Sequence, residues 1–405
     1  MTERLYLTDS HLTRCDARVL AAEREADGYA VVLDRTVFFP NAGGQPCDTG
    51  KLCFPGGEAT VRGCDERGGD LVHYVDRALP AGQAVVAEID WPRRFDHMQQ
   101  HTGEHLLSYC AYKLFSAVNV GFHLSERYGT IDLDRPLSSE QLRAMERLAN
   151  ELACRNLPVT AACYDSEEAI ASLPLRKHAE GLTAPIRIVT IEGADCCTCC
   201  APHCVHTGEI GQLFLTDAMP WKGGVRLTFL CGSRALAHAR ATHDALETIA
   251  RRFSTGRENA VAAVQKLSDD MASLRRRERA LAAQCNTYLA AELRQNAETA
   301  GRAMLVVQCV DVEGGRLREL AGLTLQGSML LLLLAADETR VQYVLHRSDD
   351  LPLDMGDLRQ AVNAALGGKG GGRGALAQGS APAQPALSET VVQLRAYLAQ
   401  RLKSL

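Results

Sequence analysis

The chain has 405 residues, a net charge of −5 and 15 cysteines, so it is long enough for two to four domains and carries no overall basic excess. The odd cysteine count and an opening without a basic, apolar leader set aside a disulfide framework and a secreted destination; free thiols and a cytoplasmic location are expected. The longest apolar run, Met329 to Ala336, is too short to span a bilayer, so no membrane partner is expected.

Residues 1 to about 90 read as β-rich, with strands at Tyr29–Leu33, Val37–Phe39, Leu71–Val75 and Ala84–Ile89 between glycine, proline and aspartate turns. The loop Pro40-Asn-Ala-Gly-Gly-Gln-Pro46 sits among them. From Arg93 the pattern becomes helical, then returns to strands at Asn119–His123 and Gly129–Leu133. Ser138 and Gln141 form a capping-box start to a helix that reaches about Asn156, where Pro158 stops it. Ile186–Ile191 is a strand that leads into a cysteine cluster, and Gly211–Leu215 with Gly224–Phe229 form an antiparallel pair.

A different region begins near Ala235. No proline occurs from Ala237 to Ala297, and Val264, Leu267, Met271, Leu274, Leu281, Cys285 and Tyr288 keep a 3-4 spacing, broken by Glu278. That seam predicts a long helix or a helical hairpin. The basic run Arg275-Arg-Arg277 with Arg279 reads as a solvated face. Beyond it, strands are predicted at Met304–Val307, Met329–Leu334 and Val341–Leu345, with helices at Leu358–Leu366 and Glu389–Leu402. Between those helices, Gly367 to Gly374 reads as a surface glycine loop. Its Lys369 and Arg373 can meet a phosphate, although a flexible linker is the usual meaning of such a run.

The chemistry concentrates in two places. His101-Thr-Gly-Glu-His105 puts two imidazoles on one helical face, one turn apart. Five cysteines then fall between Cys196 and Cys204, and several pairs among them have metal-ligand spacing. Cys199-Cys-Ala-Pro-His203 offers a thiolate and a third imidazole, a mixed set that suits a tetrahedral Zn²⁺. The first motif also fits an inverted zinc-peptidase pattern with Glu104 as base and Glu180 as a third ligand. The simpler expectation places Glu104 on the solvent face of its helix. Cys200 is a competing ligand.

Taken in order, these motifs resemble one family. Phe38-Phe-Pro-Asn-Ala-Gly-Gly-Gln-Pro-Cys-Asp-Thr-Gly50 resembles the glycine-rich motif that precedes the editing domain of alanyl-tRNA synthetase. Ile89 to Leu107 resembles the entry to that domain, with its His-x₃-His. Cys199 to Gly211 resembles the Cys-x₃-His followed by Thr-Gly-x-Ile-Gly, which selects Cys199 and His203 over the other pairs. The family's Cys-Gly-Gly-Thr-His stands here as Cys-Cys-Ala-Pro-His, with both ligands kept. The helical segment and glycine run resemble the oligomerisation helices and a C-terminal domain shared with DHH-type phosphoesterases. The chain is thus similar to free-standing alanyl-tRNA editing proteins of the long AlaX type.

The resemblance implies an α+β protein in four parts. These are a β-barrel-like glycine-motif domain (1–90), a zinc-dependent α+β editing domain (91–234), a helical or coiled-coil segment (235–300) and a C-terminal α/β domain of the DHH-associated type (301–405). It implies one Zn²⁺ on His101, His105, Cys199 and His203. It also implies hydrolysis of tRNA(Ala) mischarged with serine or glycine, and homodimerisation through the 235–300 helices and the C-terminal domain. About forty residues precede the glycine-rich motif, so no aminoacylation core is expected. His123 and Thr130 are expected to read the seryl hydroxyl, and Gly43, Gly44, Gln45, Lys369 and Arg373 to contact nucleic acid. The competing readings are a tRNA-binding protein with a purely structural zinc, and the metallopeptidase.

Overall fold

Alternating apolar residues close the first strands on themselves. In the computed structural model, which describes residues 2–176 and 185–405, the chain opens with β1 (Glu3–Arg4), β2 (Arg14–Glu25), β3 (Gly28–Leu33) and β4 (Arg35–Thr36). β5 (Gly50–Phe54), β6 (Gly57–Arg67), β7 (Asp70–Val75) and β8 (Ala84–Ile89) follow. Six of these form a closed barrel in the order β2-β3-β7-β6-β5-β8. A bulge between Val19 and Ala21 lets β2 serve two neighbours, β8 with its first half and β3 with its second. Val31, Leu33, Phe38, Leu52, Val61 and Ala87 fill the interior.

The expected strand Val37–Phe39 is irregular instead. The Asp48 carboxylate accepts from Phe39 N at 2.7 Å and takes the place of a strand neighbour. Three barrel strands went unpredicted, because β2, β5 and β6 are interrupted by charge and glycine.

After the barrel comes α1 (Trp91–Phe115). Asp90 caps it by accepting from Arg93 N, Pro92 occupies its first turn, and Ser116 ends it at φ 52°. β9 (Asn119–Leu124), β10 (Gly129–Leu133) and α2 (Ser139–Cys154) follow, with the Ser138–Gln141 capping box formed as predicted. The rest of this unit is β11 (Val159–Tyr164), the single turn α3 (Glu167–Ile170), β12 (Ile186–Ile191), β13 (Cys196–Thr198), β14 (Leu213–Trp221), β15 (Gly224–Cys231) and α4 (Gly232–Arg252). Two sheets result, β14-β15-β10-β9 and β11-β12-β13. α1 lies in the core they share: Met98, Leu106, Leu107 and Cys110 pack with Ile131, Leu227 and Phe229 of one sheet and Val189 and Ile191 of the other.

The barrel and this α+β region form one compact unit, Met1–Arg252, and Phe253–Leu405 forms a second. The division therefore falls inside the helical segment expected at 235–300. Ser254 at φ 52° interrupts the helix there.

The second unit contains α5 (Ala260–Gln295), β16 (Glu298–Ala300), β17 (Ala303–Cys309), α6 (Leu317–Thr324), β18 (Met329–Ala336) and β19 (Arg340–Arg347). It ends with α7 (Met355–Leu366), β20 (Lys369–Arg373), β21 (Leu376–Pro382) and α8 (Leu387–Lys403). Its mixed sheet runs β16-β17-β18-β19-β21-β20. The unbroken apolar run of β18 has a simple cause: Leu330, Leu332 and Leu334 face α7 and α8, while Leu331 and Leu333 face α6 and the end of α5.

The glycine run is not a loop. Residues 369–373 form the edge strand β20, paired with β21. Gly370 and its partner on β21, Gly379, make room for Tyr343: a Cβ on Gly370 would lie 2.3 Å from the Tyr343 hydroxyl, and one on Gly379 would lie 2.5 Å from its ring. Lys369 and Arg373 are exposed on this edge.

Candidate metal centre

α1 presents His101 and His105 on its inner face, and the chain between β13 and the Thr207–Ile210 turn returns Cys199 and His203 to them. The ligand atoms of these four residues all lie within 4.8 Å of one another. Cys199 Sγ is 3.5 Å from His101 Nε2 and 3.2 Å from His203 Nε2. Tetrahedral bonds of about 2.3 Å to sulfur and about 2.0 Å to nitrogen separate such donors by about 3.5 Å. The donor set and its spacing therefore fit Zn²⁺.

Each imidazole is oriented through its other nitrogen. His101 Nδ1 donates to Gln45 Oε1 at 2.8 Å, His105 Nδ1 to Asp195 Oδ2 at 3.0 Å, and His203 Nδ1 to Thr102 Oγ1 at 3.0 Å. With these protons on Nδ1, the Nε2 lone pairs are left to converge. Burial pushes His203 down to about 3 and keeps it neutral. Burial opposes ionisation of Cys199, but the imidazoles of His101 and His203 outweigh it and hold the thiol well below its usual value. His105 is raised despite its burial, because Cys197 and Asp195 favour its charged form.

The supports reach back into the barrel. Gln45 is 2% exposed and comes from the glycine-rich loop, which docks on β9: Leu124 N donates to Gly44 O at 2.7 Å. A Cβ on Gly44, whose φ is 78°, would lie 2.6 Å from Phe122 O. Gly43 lines the cavity next to the cluster. Gln45, expected to contact nucleic acid, is thus a buried support for His101. The loop is held to α1 by a fully buried pair, Arg94 and Asp48; Arg94 also donates to Val37 O at 2.6 Å and Ser10 O at 3.1 Å.

A cavity of about 340 Å³ opens beside the four donors. His101, Glu104, Asn119, Phe122, Arg176 and Cys199 are among its lining residues. Glu104 does not face solvent, contrary to expectation. It is 5% exposed and accepts from Ser108 Oγ at 2.5 Å and Asn119 Nδ2 at 2.7 Å. The inner face of α1 is polar where it meets the cavity, which an apolar-seam argument does not anticipate.

His123 and Thr130 are not brought to the cluster. They oppose each other on β9 and β10, one residue from the Phe122–Ile131 pair. Ile131 is in the core and Phe122 lies 4.8 Å from the His101 ring, so alternation turns His123 and Thr130 to the other face. His123 is exposed there.

Sequence reasoning missed Asp195 and Arg176, and it met Cys197 only as one of the competing cysteines of the cluster. Arg176 holds Asp195 at 2.6 and 3.1 Å, and Asp195 in turn orients His105. His105, Asp195 and Cys197 form a second close group of metal-type donors. Glu180 lies outside the described residues, and Cys200 is not among the clustered donors found within them.

The tRNA synthetases class II (A) family matches residues 11–93, the barrel and its junction with α1. Along almost the whole chain, the alanyl-tRNA editing protein AlaX-L of Pyrococcus horikoshii is 29% identical over 398 residues, 95% of this chain and 96% of its own. The chain is a relative of the alanyl-tRNA editing proteins. Aarsd1-A of Xenopus laevis, another protein of that name, is 32% identical over 252 residues, 62% of this chain and 60% of its own. The alanine–tRNA ligase of Korarchaeum cryptofilum is 29% identical over 394 residues, and this chain spans 43% of it. Among solved structures, the C-Ala domain of Aquifex aeolicus alanyl-tRNA synthetase aligns with 27% of this chain and 98% of its own, at 25% identity and a TM-score of 0.24.

Proposed function

We propose that this relative of the alanyl-tRNA editing proteins is a trans-editing hydrolase that deacylates mischarged tRNA(Ala), chiefly Ser-tRNA(Ala), with Gly-tRNA(Ala) as a second substrate. The observation that carries the reading is the convergence of His101, His105, Cys199 and His203 beside a cavity of about 340 Å³. Four protein donors fill a tetrahedral zinc, so catalysis there requires the shell to expand to five ligands or one donor to give way; the cavity that His101 and Cys199 line gives an ester room to reach it.

Zn²⁺ is the metal we assign to these four donors; bound there, it supplies a Lewis acid next to the ester. The chain's own residues do the rest. Gln45, Asp195 and Thr102 fix the imidazoles, and the β9 backbone with Phe122 forms one wall of the cavity. Asn119 and Thr198 add polar lining that can pair with a seryl hydroxyl. The Thr198 hydroxyl loses that partner when alanine enters, so Ala-tRNA(Ala) is rejected.

In this reading, Gly43 and Gly44 let the tRNA end approach the backbone at the cavity, and Lys369 and Arg373 meet phosphates from the β20 edge. The α5 seam supports a homodimer, since Val264, Leu267, Met271, Leu274 and Leu281 are exposed on this chain. No helix among the described residues is long and apolar enough to cross a membrane. We assign a cytoplasmic location, where free cysteines persist.

Incubation with Ser-tRNA(Ala) and Ala-tRNA(Ala) tests the activity. Release of serine and not alanine is expected, abolished by Cys199→Ala or His101→Ala in proteins that remain folded. Intact Ser-tRNA(Ala) after incubation with zinc-loaded protein overturns the reading.

A further inference from the structure

The segment that carries Cys199 and His203 brings both donors to α1 without a helix or strand of its own. Its two ends are held by residues far away in the chain. Arg187 of β12, 7% exposed, holds the Cys199 end. Its carbonyl accepts from Cys199 N at 3.1 Å. Its Nη1 donates to Cys199 O and Ala201 O, both at 2.8 Å, and its Nε donates to Leu7 O at 3.0 Å. The His203 end rests on Ser10, whose hydroxyl accepts from His203 N at 3.3 Å. Leu7 and Ser10 belong to one short N-terminal turn, in which Thr8 N and Asp9 N both donate to Leu5 O. Arg94 of α1 fixes that turn by donating to Ser10 O at 3.1 Å.

We infer that Arg187 is a positioning residue of the metal centre: it clamps the turn bearing Cys199 onto the N-terminal turn Leu7–Ser10 and so fixes where the thiol sits. The inference rests on the zinc assigned above to the four donors. Lysine carries its three hydrogens on one nitrogen, whereas the acceptors here are divided between Nε and Nη1, so only the guanidinium fork serves all of them. A segment held in this way loses little freedom when a metal binds. The clamp therefore contributes to metal affinity and not only to the stability of the fold.

Cobalt(II) replaces Zn²⁺ in such donor sets, and its visible bands report a tetrahedral site with a thiolate. The full chain, Arg187→Lys and Ser10→Ala are titrated with cobalt(II), and their Zn²⁺ affinities are measured by competition with a chelator. Arg187→Lys is expected to keep the parent's far-ultraviolet circular dichroism, to bind about 10- to 100-fold more weakly and to show a weakened thiolate band. Ser10→Ala is expected to lose affinity by a smaller factor. Arg187 also lines a cavity of about 600 Å³, shared with Tyr6 and Phe39, so the space left by Arg187→Ala is open to solutes. Added ethylguanidinium should restore affinity and band to that variant, and ethylammonium should not. A merely structural arginine lowers the stability of the metal-free protein but leaves affinity and band as in the parent; that result in Arg187→Lys overturns the inference. If the Arg187 variants do not fold, Ser10→Ala decides, and parent-like affinity there overturns it. A parent that takes up no cobalt overturns the zinc assignment and this inference with it. A parent that binds cobalt but leaves Ser-tRNA(Ala) intact when loaded with zinc overturns the editing reading alone.

Discussion

Thr102 Oγ1 lies 3.0 Å from His203 Nδ1 and also accepts from Cys204 N at 3.1 Å. A residue between two ligands on α1 thus clamps the distant segment that carries the third and fourth. Thr102→Val keeps the shape and removes both bonds. Metal affinity should fall about 10- to 100-fold, as measured by competition with a chelator of known affinity, while Thr102→Ser retains it. Unchanged affinity in Thr102→Val would show that the clamp is incidental.

The Arg94–Asp48 pair is fully buried, so removing one partner strands the other's charge. Arg94→Met or Asp48→Ala should each cost about 3–5 kcal/mol in denaturant unfolding. Because this pair also seats the glycine-rich loop, metal affinity should fall alongside stability. A cost below about 1 kcal/mol would mean that water reaches the pair.

His73 gives the barrel a pH dependence. It is fully buried, lies 2.8 Å from Thr36 Oγ1, and is held by burial at about 4, against an ordinary 6.5. In the unfolded chain the ring takes up a proton as pH falls through about 6.5, whereas in the fold it stays neutral until about 4. The stability it contributes is therefore complete above about pH 6.5 and is lost progressively towards pH 4, a decline of about 3 kcal/mol. Urea midpoints between pH 4 and pH 7 should fall less steeply for His73→Gln than for the parent. His97, also buried and held at about 4, keeps some slope in both proteins. Parallel slopes would refute the role of His73.

The exposed seam of α5 predicts self-association. The full chain should sediment as a dimer at micromolar concentration. Leu267→Glu combined with Leu281→Glu should sediment as a monomer with unchanged far-ultraviolet circular dichroism. A monomeric parent would leave the seam without this partner.

Local signals made much of this legible. Capping residues marked α2 and spacing put His101 and His105 on one face, while only the resemblance of the Thr207-Gly-Glu-Ile-Gly211 tail to the editing family favoured Cys199 and His203 over the other cysteine pairs. The missed parts depend on contacts between residues far apart in the chain. Asp195 meets His105 across 90 residues, and nothing near either one announces it. Glu104 was expected on the outside because α1 was treated as apolar within, yet its inner face borders a polar cavity. The run 367–374 was expected to be a loop because its glycines suggested freedom, whereas Gly370 in it, like Gly379 on the neighbouring strand, yields space to Tyr343.

Gln45 makes the barrel an organ of the site rather than a neighbour to it. A shortened protein beginning at Trp91 would retain every metal donor, yet His101 would lose its anchor and Arg94 its counter-charge. Grafting or recombining this centre therefore means moving residues 1–231 as one block. Cutting at the visually obvious border between barrel and helix would deliver a complete ligand set with nothing to aim it.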